Sequence, residues 1–386
     1  MKRSLYAILI LPLLICSCST IRDDYLVYVI NELSGESQLI FYDPVKDIHA
    51  PILSGWEIDT ISLSIKNQLA FSSSHEGNSE IYILDYPFTD NVPVNITHDK
   101  STDDNVFSWS PDGHYLAFRS EQVDGKTLSI WDGNAVSSIH QYKVQIGELS
   151  WSLDNRIAFT EFYTFVLPYE GDQNEIFIWD GNTTTSVSQN PSGNDRSPSW
   201  NTDGELAFLS ERDGEYDIFI WDGISKSNGK PDINSYQNIS PSLTNYYSNP
   251  IWTNSGSLTF IAFGPEDQHA QIYKWDGQTA TNISKNPGLH NGGQSWRSDG
   301  YWSFATFFSS PLLYVRNERN QTQLTVEGAY APAWSQNGLL MFCSYAPAPY
   351  GWQLSMWDGE KVVELAQGYR IIAEWRNGAE AFCSSG

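Results

Sequence analysis

Residues 107–134 read FSWSPDGHYLAFRSEQVDGKTLSIWDGN. Two apolar runs, HYLAF and LSIW, are bracketed by Asp-Gly pairs, and Trp109 stands just ahead of the first run. Apolar runs of this length are typical of buried strands, and Asp-Gly supplies the positive φ that tight hairpin turns require. The stretch therefore predicts consecutive antiparallel strands joined by short turns.

The same stretch recurs along the chain about every 44 residues, which is the period of a four-stranded propeller blade. The copies read SWSPDGHYLAF, SWSLDNRIAF, SWNTDGELAF, IWTNSGSLTF, SWRSDGYWSF, AWSQNGLLMF and EWRNGAEAF, with the Trp at 109, 151, 200, 252, 296, 334 and 375. A degenerate copy, SLSIKNQLAF, ends at Phe71 and lacks the Trp. We expect the repeated Trp and Phe side chains to fill the space between sheets about 10 Å apart, rather than to form a binding surface.

The pattern predicts an all-β chain with a single β-propeller of four-stranded antiparallel blades over residues 25–386. Eight Trp…Phe units are visible when the degenerate one is included, and the last stops after its second strand. Two N-terminal segments, YLVYVIN and QLIFYD, have no Trp strand before them. We expect them to complete the final blade and close the ring, since closure removes exposed sheet edges. Eight blades are favoured, and seven is the alternative because the N-terminal strands slightly over-supply the last blade.

The repeat unit resembles the TolB-type propeller repeat, which is WD-like. The resemblance is strongest in residues 200–222, WNTDGELAFLSERDGEYDIFIWD, and in NISKNP at 282–287. It covers nearly all of residues 25–386 and implies a propeller fold. The α/β domain that precedes the propeller in TolB itself has no counterpart here, so we do not expect the chain to be TolB.

The N-terminal stretch MKRSLYAILILPLLICSCST has the layout of a secretory signal peptide. Two basic residues precede an apolar run from Leu5 to Ile15, which is too short to cross a bilayer. The ICSC ending resembles the bacterial lipoprotein box, which implies cleavage before Cys18 and acylation of that residue. We therefore expect a signal peptide at 1–17, a short tether at 18–24, and an exported, membrane-anchored lipoprotein of the cell envelope. An ordinary cleaved signal ending near Ser19 is the alternative.

The chain is strongly acidic, with 22 Lys and Arg against 46 Asp and Glu and a net charge of −24. Such a surface repels phosphate backbones and anionic head groups, which argues against nucleic acid and against membrane contact other than through the lipid anchor. An Asp before Gly, as at Asp132 and Asp180, is turn chemistry, whereas calcium loops need several converging oxygen ligands. We therefore expect no metal, no cofactor and a monomeric chain.

Catalytic signatures are missing from the sequence: it contains no G-x-S-x-G, H-E-x-x-H, P-loop or C-x-x-C motif. Peptidases with similar propellers attach a hydrolase domain, for which we find no sequence signal. The function predicted is a non-catalytic, lipid-anchored propeller that binds an envelope protein or another extracytoplasmic ligand through the loops at the channel mouth. The alternative is a carbohydrate-active hydrolase or lyase with carboxylates in the channel.

The loops that lead into the Trp strands share one end of the predicted ring, and the fold does not demand their side chains. Tyr and Arg are typical interface anchors, and acidic groups select basic or hydroxylated ligands. The candidate binding residues are Asp103, Asp104, Asp195, Arg196, Tyr246, Tyr247, His290, Asn291, Tyr330, Tyr369 and Arg370. For any one of them, the alternative is a solvent-exposed position on the rim of the ring with no role in binding. The aromatic insertion EFYTFVLPYEGDQ at 161–173 is a second candidate patch.

Cys343 and Cys383 each follow the Phe of a repeat directly, which places them at equivalent positions in neighbouring blades. Rotation about the ring axis then relates the two side chains, so they point the same way round. Packed sheets lie about 10 Å apart, whereas a disulfide needs Cα atoms within roughly 7 Å. The pattern therefore predicts two free thiols.

Overall fold

A computed structural model describes residues 25–32, 35–88, 90–122, 125–142, 144–162, 174–190, 193–212, 214–223, 235–240, 244–253, 255–263, 269–286, 288–307, 311–348 and 351–384. The strands in these residues form eight antiparallel sheets arranged as a β-propeller, which confirms the predicted fold class and the favoured blade number. No helix in them is long and apolar enough to cross a membrane. The predicted signal peptide, tether and Cys18 lie outside the described residues.

Seven blades are built from consecutive segments of the chain, with strands named A to D in chain order. Blade 1 contains β4 (Ile58–Leu63), β5 (Gln68–Ser73), β6 (Glu80–Asp85) and β7 (Val94–Asn95), and blade 2 contains β8 (Asp103–Trp109), β9 (Leu116–Gln122), β10 (Gly125–Trp131) and β11 (Val136–Tyr142). Blade 3 contains β12 (Gln145–Trp151), β13 (Ile157–Phe162), β14 (Asn174–Trp179) and β15 (Thr184–Ser186). Blade 4 contains β16 (Asp195–Trp200), β17 (Leu206–Ser210), β18 (Asp217–Trp221) and β19 (Gln237–Asn238). Blade 5 contains β20 (Thr244–Trp252), β21 (Leu258–Phe263), β22 (Ala270–Trp275) and β23 (Ala280–Asn282). Blade 6 contains β24 (His290–Trp296), β25 (Trp302–Phe307), β26 (Leu312–Arg316) and β27 (Thr322–Glu327). Blade 7 contains β28 (Ala329–Trp334), β29 (Leu340–Tyr345), β30 (Trp352–Trp357) and β31 (Val362–Gly368).

The core lies between neighbouring sheets, as predicted for the repeated aromatic residues. The Phe of strand B is fully buried in most blades, namely at Phe71, Phe118, Phe159, Phe208, Phe260 and Phe304. Strands A of most successive blades pack against one another, which places strand A near the ring axis. The repeated Trp also ties blades together, because Trp109 Nε1 donates to Ser62 O (3.1 Å) and Trp252 Nε1 donates to Ser199 O (3.0 Å).

Blade 8 joins the two ends of the chain, which confirms the predicted closure. Its strand A is β32 (Arg370–Trp375), and its B, C and D strands are β1 (Leu26–Asn31), β2 (Ser37–Asp43) and β3 (Ile48–Trp56). Leu26 pairs with Trp375, as Leu340 pairs with Trp334 in blade 7. Trp375 Nε1 donates to Ala333 O at 3.1 Å, which is the inter-blade bond made by the Trp of a regular strand A.

The last strand, β33 (Glu380–Cys383), does not take the strand B position that the repeat predicts for it. Since β1 occupies that position beside β32, β33 pairs with the opposite edge of β32, on the channel side, and becomes a fifth strand. There it packs against β28 and β29 of blade 7. Phe382 is consequently 39% exposed, whereas the corresponding Phe342 in blade 7 is buried.

The prediction of two free thiols is wrong, because Cys343 and Cys383 form a disulfide with Cα atoms 5.3 Å apart. Cys343 lies on β29, which is strand B of blade 7, but Cys383 lies on β33, the strand that packs against it. The two residues therefore face each other and are not related by rotation about the axis. Blades also converge toward the axis, so the innermost strands of neighbouring blades lie closer together than the sheets do farther out.

Candidate functional site

The predicted binding residues lie where the strands A begin, at what we term the upper end of the ring. Asp103 and Asp104 begin β8, Asp195 and Arg196 begin β16, and His290 and Asn291 begin β24. Tyr330 is on β28, Arg370 begins β32 and Tyr369 directly precedes it. Tyr246 and Tyr247 are on β20, but their side chains are not among those that the structure describes. The shared end is the one predicted, although the residues are distributed over different blades.

Five of these residues occupy one repeated position, five residues before the Trp, and besides Tyr247 and Arg370 they include three whose side chains are buried. These three are Asp104, Asp195 and Asn291, each no more than 1% exposed. Each holds the loop that leads into its own strand. Asp104 Oδ2 accepts from Thr102 Oγ1 at 3.2 Å, and Asn291 Oδ1 accepts from Asn286 Nδ2 at 3.2 Å. Burial raises the pKa of Asp104 and of Asp195.

Four other predicted residues belong to four different blades, and each contacts a near neighbour in its own blade or the preceding one. Asp103 accepts from the backbone N–H of Ser79 at 3.1 Å, and the Arg196 guanidinium lies 4.7 Å from the centre of the Tyr216 ring. His290 Nδ1 accepts from Ala270 N at 3.2 Å. Tyr330 packs edge-on against Trp352, with ring centroids 5.7 Å apart. In the aromatic insertion, residues 163–173 lie outside the described residues, and Glu161 is a buried partner of His140.

Tyr369 and Arg370 do line a cavity together, which we term the seam cleft. It has a volume of about 450 Å³, lies between blades 8 and 1, and is lined by Asn31, Glu32, Gly35, Ser37, Glu57, Ile58, Asp59, Ser74, Tyr369 and Arg370. Arg370 Nη2 donates to Asp59 O at 3.0 Å, and its Nη1 lies 3.9 Å from Asp59 Oδ1. Burial raises the pKa of Asp59, an effect that the Arg370 charge opposes. Three carboxyl groups thus share the cleft with one guanidinium.

A pair of glutamates lies on the channel side of the same blade. Glu374 on β32 and Glu380 on β33 are direct cross-strand partners, which places their Cβ atoms about 5 Å apart. Glu374 is 1% exposed, and its Oε2 has no hydrogen-bond partner among the described residues. Glu380 is exposed to the channel although protein surrounds most of it. Two carboxylates this close resist being ionised together.

The electrostatics of the pair follow from this placement. Desolvation raises the pKa of Glu374 well above its ordinary value, and the neighbouring charge of Glu380 adds to the effect. Desolvation raises the pKa of Glu380 to about 7. The pair therefore holds a proton near neutral pH, and a cation that binds between the two groups would replace that proton.

The seam cleft and the glutamate pair are parts of one stripe. Alternate residues of a strand share a face, so Arg370, Ile372 and Glu374 all point toward blade 1. Phe382 stands opposite Ile372, and the Arg370 guanidinium lies 5.7 Å from the Phe382 ring. We term Arg370, Phe382, Glu374 and Glu380 the channel stripe. It extends over about 13 Å along β32 and β33.

The two glutamates are absent from the predicted site, yet both interrupt the repeat. Where other copies have a small or apolar residue before the Trp, such as Ser199 or Ala333, the last copy has Glu374. Where they have the first apolar residue of strand B, such as Leu206 or Leu340, it has Glu380. A glutamate cannot fill a fully buried apolar position at low cost, so these two breaks were the available signal.

Comparison with known proteins supports the fold. No family model matches the chain, and no curated protein sequence does. Among solved structures, it is similar to prolyl oligopeptidase B from Galerina marginata, with a TM-score of 0.58 and 10% identity over 81% of this chain and 51% of that chain. It is similar to the β-propeller domain of the Trilobed protease from Pyrococcus furiosus, with a TM-score of 0.53 and 14% identity over 81% of this chain and 98% of that one. Acylaminoacyl peptidase from Pyrococcus horikoshii matches with a TM-score of 0.52 and 15% identity over 81% of this chain and 52% of that one.

These matches correct the predicted function. A non-catalytic binding scaffold acting through the channel-mouth loops was expected, with a carbohydrate-active enzyme as the alternative. Both are wrong on this comparison, because the matching propellers belong to peptidases. The chain spans about half the length of the prolyl oligopeptidase and of the acylaminoacyl peptidase. What the similarity establishes for this chain is a propeller fold of the kind found in those peptidases.

Proposed function

We propose that this chain is a peptidase-type propeller that admits extended peptides into its channel and selects those with basic side chains. The observation that carries the proposal is the Glu374–Glu380 pair on the channel wall. Peptide hydrolysis would fall to a hydrolase domain or subunit that works with the propeller. The similar prolyl oligopeptidase B was solved with a 35mer hydrolysis and macrocyclization substrate, so a propeller of this fold is compatible with a long peptide ligand.

Charge supports basic peptides over acidic ones. The chain has a net charge of −24, so its field concentrates cations, and it repels acidic peptides before contact. In the channel, a Lys or Arg side chain would supply the positive charge that Glu374 and Glu380 lack. Since such a partner favours the ionised carboxylates, peptide binding would lower the pKa of the pair and release a proton.

The strand β33 supports an extended conformation of the bound peptide. It is the last strand of its sheet, so one of its edges is left without a partner strand in the described part of the chain. An extended peptide can hydrogen-bond to such an edge as an additional strand. Phe382 on the same strand offers an aromatic face for an apolar or cationic side chain of the peptide.

The proposal is tested by titrating the purified protein with a fluorescent peptide that contains two lysines, and with the same peptide carrying glutamates instead. We expect saturable binding of the basic peptide only, and a Kd at least about tenfold higher for the Glu374→Gln/Glu380→Gln variant. The matched control is Glu318→Gln/Glu360→Gln, which removes two exposed carboxylates elsewhere and should leave the Kd within a factor of two or so. Equal binding of both peptides, or an unchanged Kd in the channel variant, would show that the pair does not select peptides.

We further propose that the chain acts outside the cytoplasm, anchored to a membrane through an acylated Cys18, and that its repeat is of the TolB type. The support for anchoring is the basic, apolar and small-residue order of the N-terminal stretch with its ICSC ending. The support for the repeat type is the recurring Trp-x-x-Asp-Gly…Phe pattern.

A further inference from the structure

A second cavity, which we term the basic cleft, lies between blades 5 and 6 and is separate from the channel stripe. It has a volume of about 360 Å³ and is lined by residues of both blades. Four of its lining residues are cationic, namely Lys274, Lys285, Arg297 and Arg319, and one, Glu318, is acidic. Acidic residues outnumber basic ones 46 to 22 in this chain, so the net charge of the cleft lining has the opposite sign to that of the protein as a whole.

Of the four cationic residues, Lys274 and Lys285 are the two best able to bind an anion. Arg297 is already engaged, since Nη2 lies 2.5 Å from Asp299 Oδ2 and Nη1 donates to Gly338 O at 3.2 Å. Arg319 and Glu318 are both highly exposed and 4.0 Å apart, a separation at which a solvated ion pair contributes little. Neither Lys274 nor Lys285 forms an ion pair with any described residue. Both ammonium groups therefore remain able to bind an anion.

A buried guanidinium adds positive charge behind the wall of the cleft. Arg316 is 9% exposed, and its Nη1 donates to the carbonyl oxygens of Ile283 (3.1 Å) and Ser284 (2.7 Å) and to Asn320 Oδ1 (3.3 Å). These acceptors are neutral, and no ion pair to Arg316 is present among the described residues. Its charge is therefore not neutralised by a described carboxylate. The guanidinium lies 5.7 Å from the centre of the Trp302 ring and 4.9 Å from that of Phe304, beside two cleft residues, Ile283 and Asn320.

The cleft also contains a flat aromatic surface. The Trp296 and Trp302 rings are stacked with centroids 5.1 Å apart and an interplanar angle of 6°. Trp302 is 3% exposed and supports one face of Trp296, which is itself only half-buried. Lys274 Nζ lies 5.6 Å from the Trp296 ring centre. A ligand ring that stacks on Trp296 would take the place of this ammonium over the indole and leave it at the edge of the ligand, within reach of an anionic substituent.

From these contacts we infer that the basic cleft is a binding site for a small organic oxyanion, a carboxylate or phosphate attached to a flat ring. The ring stacks on Trp296, and the oxyanion bridges Lys274 and Lys285. The buried charge of Arg316 raises the local potential. This site is independent of the peptide channel, and its occupancy does not require the proposed function.

Isothermal titration with phenyl phosphate, inorganic phosphate and phenol separates the contributions of ring and anion. We expect phenyl phosphate to bind most tightly, and its Kd to rise about tenfold or more in Lys274→Met/Lys285→Met. The control Lys46→Met/Lys361→Met removes two exposed lysines outside the cleft and should bind as the wild type does. Benzoate in place of phenyl phosphate distinguishes a carboxylate site from a phosphate site, and saturable binding of either one supports the inference.

Two results would overturn it. If phenyl phosphate binds the lysine variant as tightly as the wild type, or fails to bind the wild type at millimolar concentration while benzoate fails too, the cleft is not an oxyanion site. If inorganic phosphate binds as tightly as phenyl phosphate, the role of Trp296 is refuted. Thermal unfolding of each variant shows whether a loss of binding reflects a loss of fold.

Discussion

At the residue scale, the two glutamates of the channel stripe show how a break in a repeat can mark a site. Both stand where the other copies have small or apolar residues, and no described residue beside them supplies an opposite charge that would favour the ionised form. Their raised pKa values follow from enclosure and mutual repulsion, which are properties of their position in the ring. The same position leaves Glu380 exposed, where a cationic ligand can reach it, and keeps Glu374 buried beside it.

The glutamate pair should make the protein less stable as pH rises. A carboxyl group whose pKa is higher in the folded than in the unfolded state favours the folded state most at pH values below its unfolded pKa of 4.5. This contribution to the free energy of unfolding is lost as the pH rises through the folded-state pKa of about 7. We expect the midpoint of thermal unfolding to fall between pH 5 and pH 8, and Glu374→Gln to reduce that fall by several degrees. The control is Glu318→Gln, whose side chain is 66% exposed and which should keep the wild-type pH dependence. An unaltered pH dependence in Glu374→Gln would argue against a buried, protonated pair.

The disulfide gives a second prediction at this scale. It closes a loop with a sequence separation of 40 residues, for which the loop-entropy relation gives about 4 kcal/mol of stabilisation. We expect Cys343→Ala/Cys383→Ala to lose roughly that amount in urea unfolding, less if the mutant core relaxes. Thiol titration of the denatured, unreduced wild type should find no free thiol from this pair. A titration that finds both thiols would place β33 elsewhere.

At the element scale, blade 8 is where two candidate strands compete for one position. Both β1 and β33 can pair with β32, and both do, on opposite edges. The strand β1 brings β2 and β3 with it and buries Leu26 and Tyr28 against blade 7, whereas the short β33 buries Ala381 and Cys383. The larger apolar area explains why β1 takes the strand B position and β33 the channel side.

Two deletions should separate these roles. Removing residues 25–45 takes away β1 and β2 and leaves β32 with an open edge in an incomplete blade, so we expect aggregation or loss of cooperative unfolding. Ending the chain after Gly378, in a Cys343→Ala background, removes β33 but leaves a four-stranded blade. That product should remain monomeric and unfold cooperatively, at a lower temperature. Size-exclusion chromatography and circular dichroism melts measure both, and a folded monomer from the first deletion would refute closure by the N-terminal strands.

At the scale of the whole molecule, charge is distributed unevenly around a ring that is acidic overall. The seam cleft and the glutamate pair concentrate carboxyl groups at blades 8 and 1, while the basic cleft lies between blades 5 and 6. The two regions should therefore prefer ligands of opposite charge. Among the described residues, no three His, Cys, Asp or Glu side chains come together as a metal site.

Membrane attachment is a prediction for the intact chain. If Cys18 is acylated, Cys18→Ser should move the protein from the membrane fraction to the soluble exported fraction, since a lipid chain is the only anchor proposed. Fractionation followed by immunoblotting measures the distribution, and Cys16→Ser serves as the matched control that keeps the anchor. Membrane retention of Cys18→Ser would contradict lipid anchoring through this residue.

The sequence alone determined the all-β propeller, the buried place of Trp and Phe, and closure by the N-terminal strands, and it favoured eight blades over seven. These properties follow from a local pattern that recurs in each unit, and a unit cannot bury its apolar faces without neighbours. The tertiary structure decided the strand order of blade 8, the Cys343–Cys383 disulfide, the Glu374–Glu380 pair and the two clefts. Each depends on which edge of β32 a strand occupies, or on side chains from two blades. The repeat describes only one blade at a time. It marks Glu374 and Glu380 as departures from the pattern, but it carries no information about which strand edges and which side chains meet.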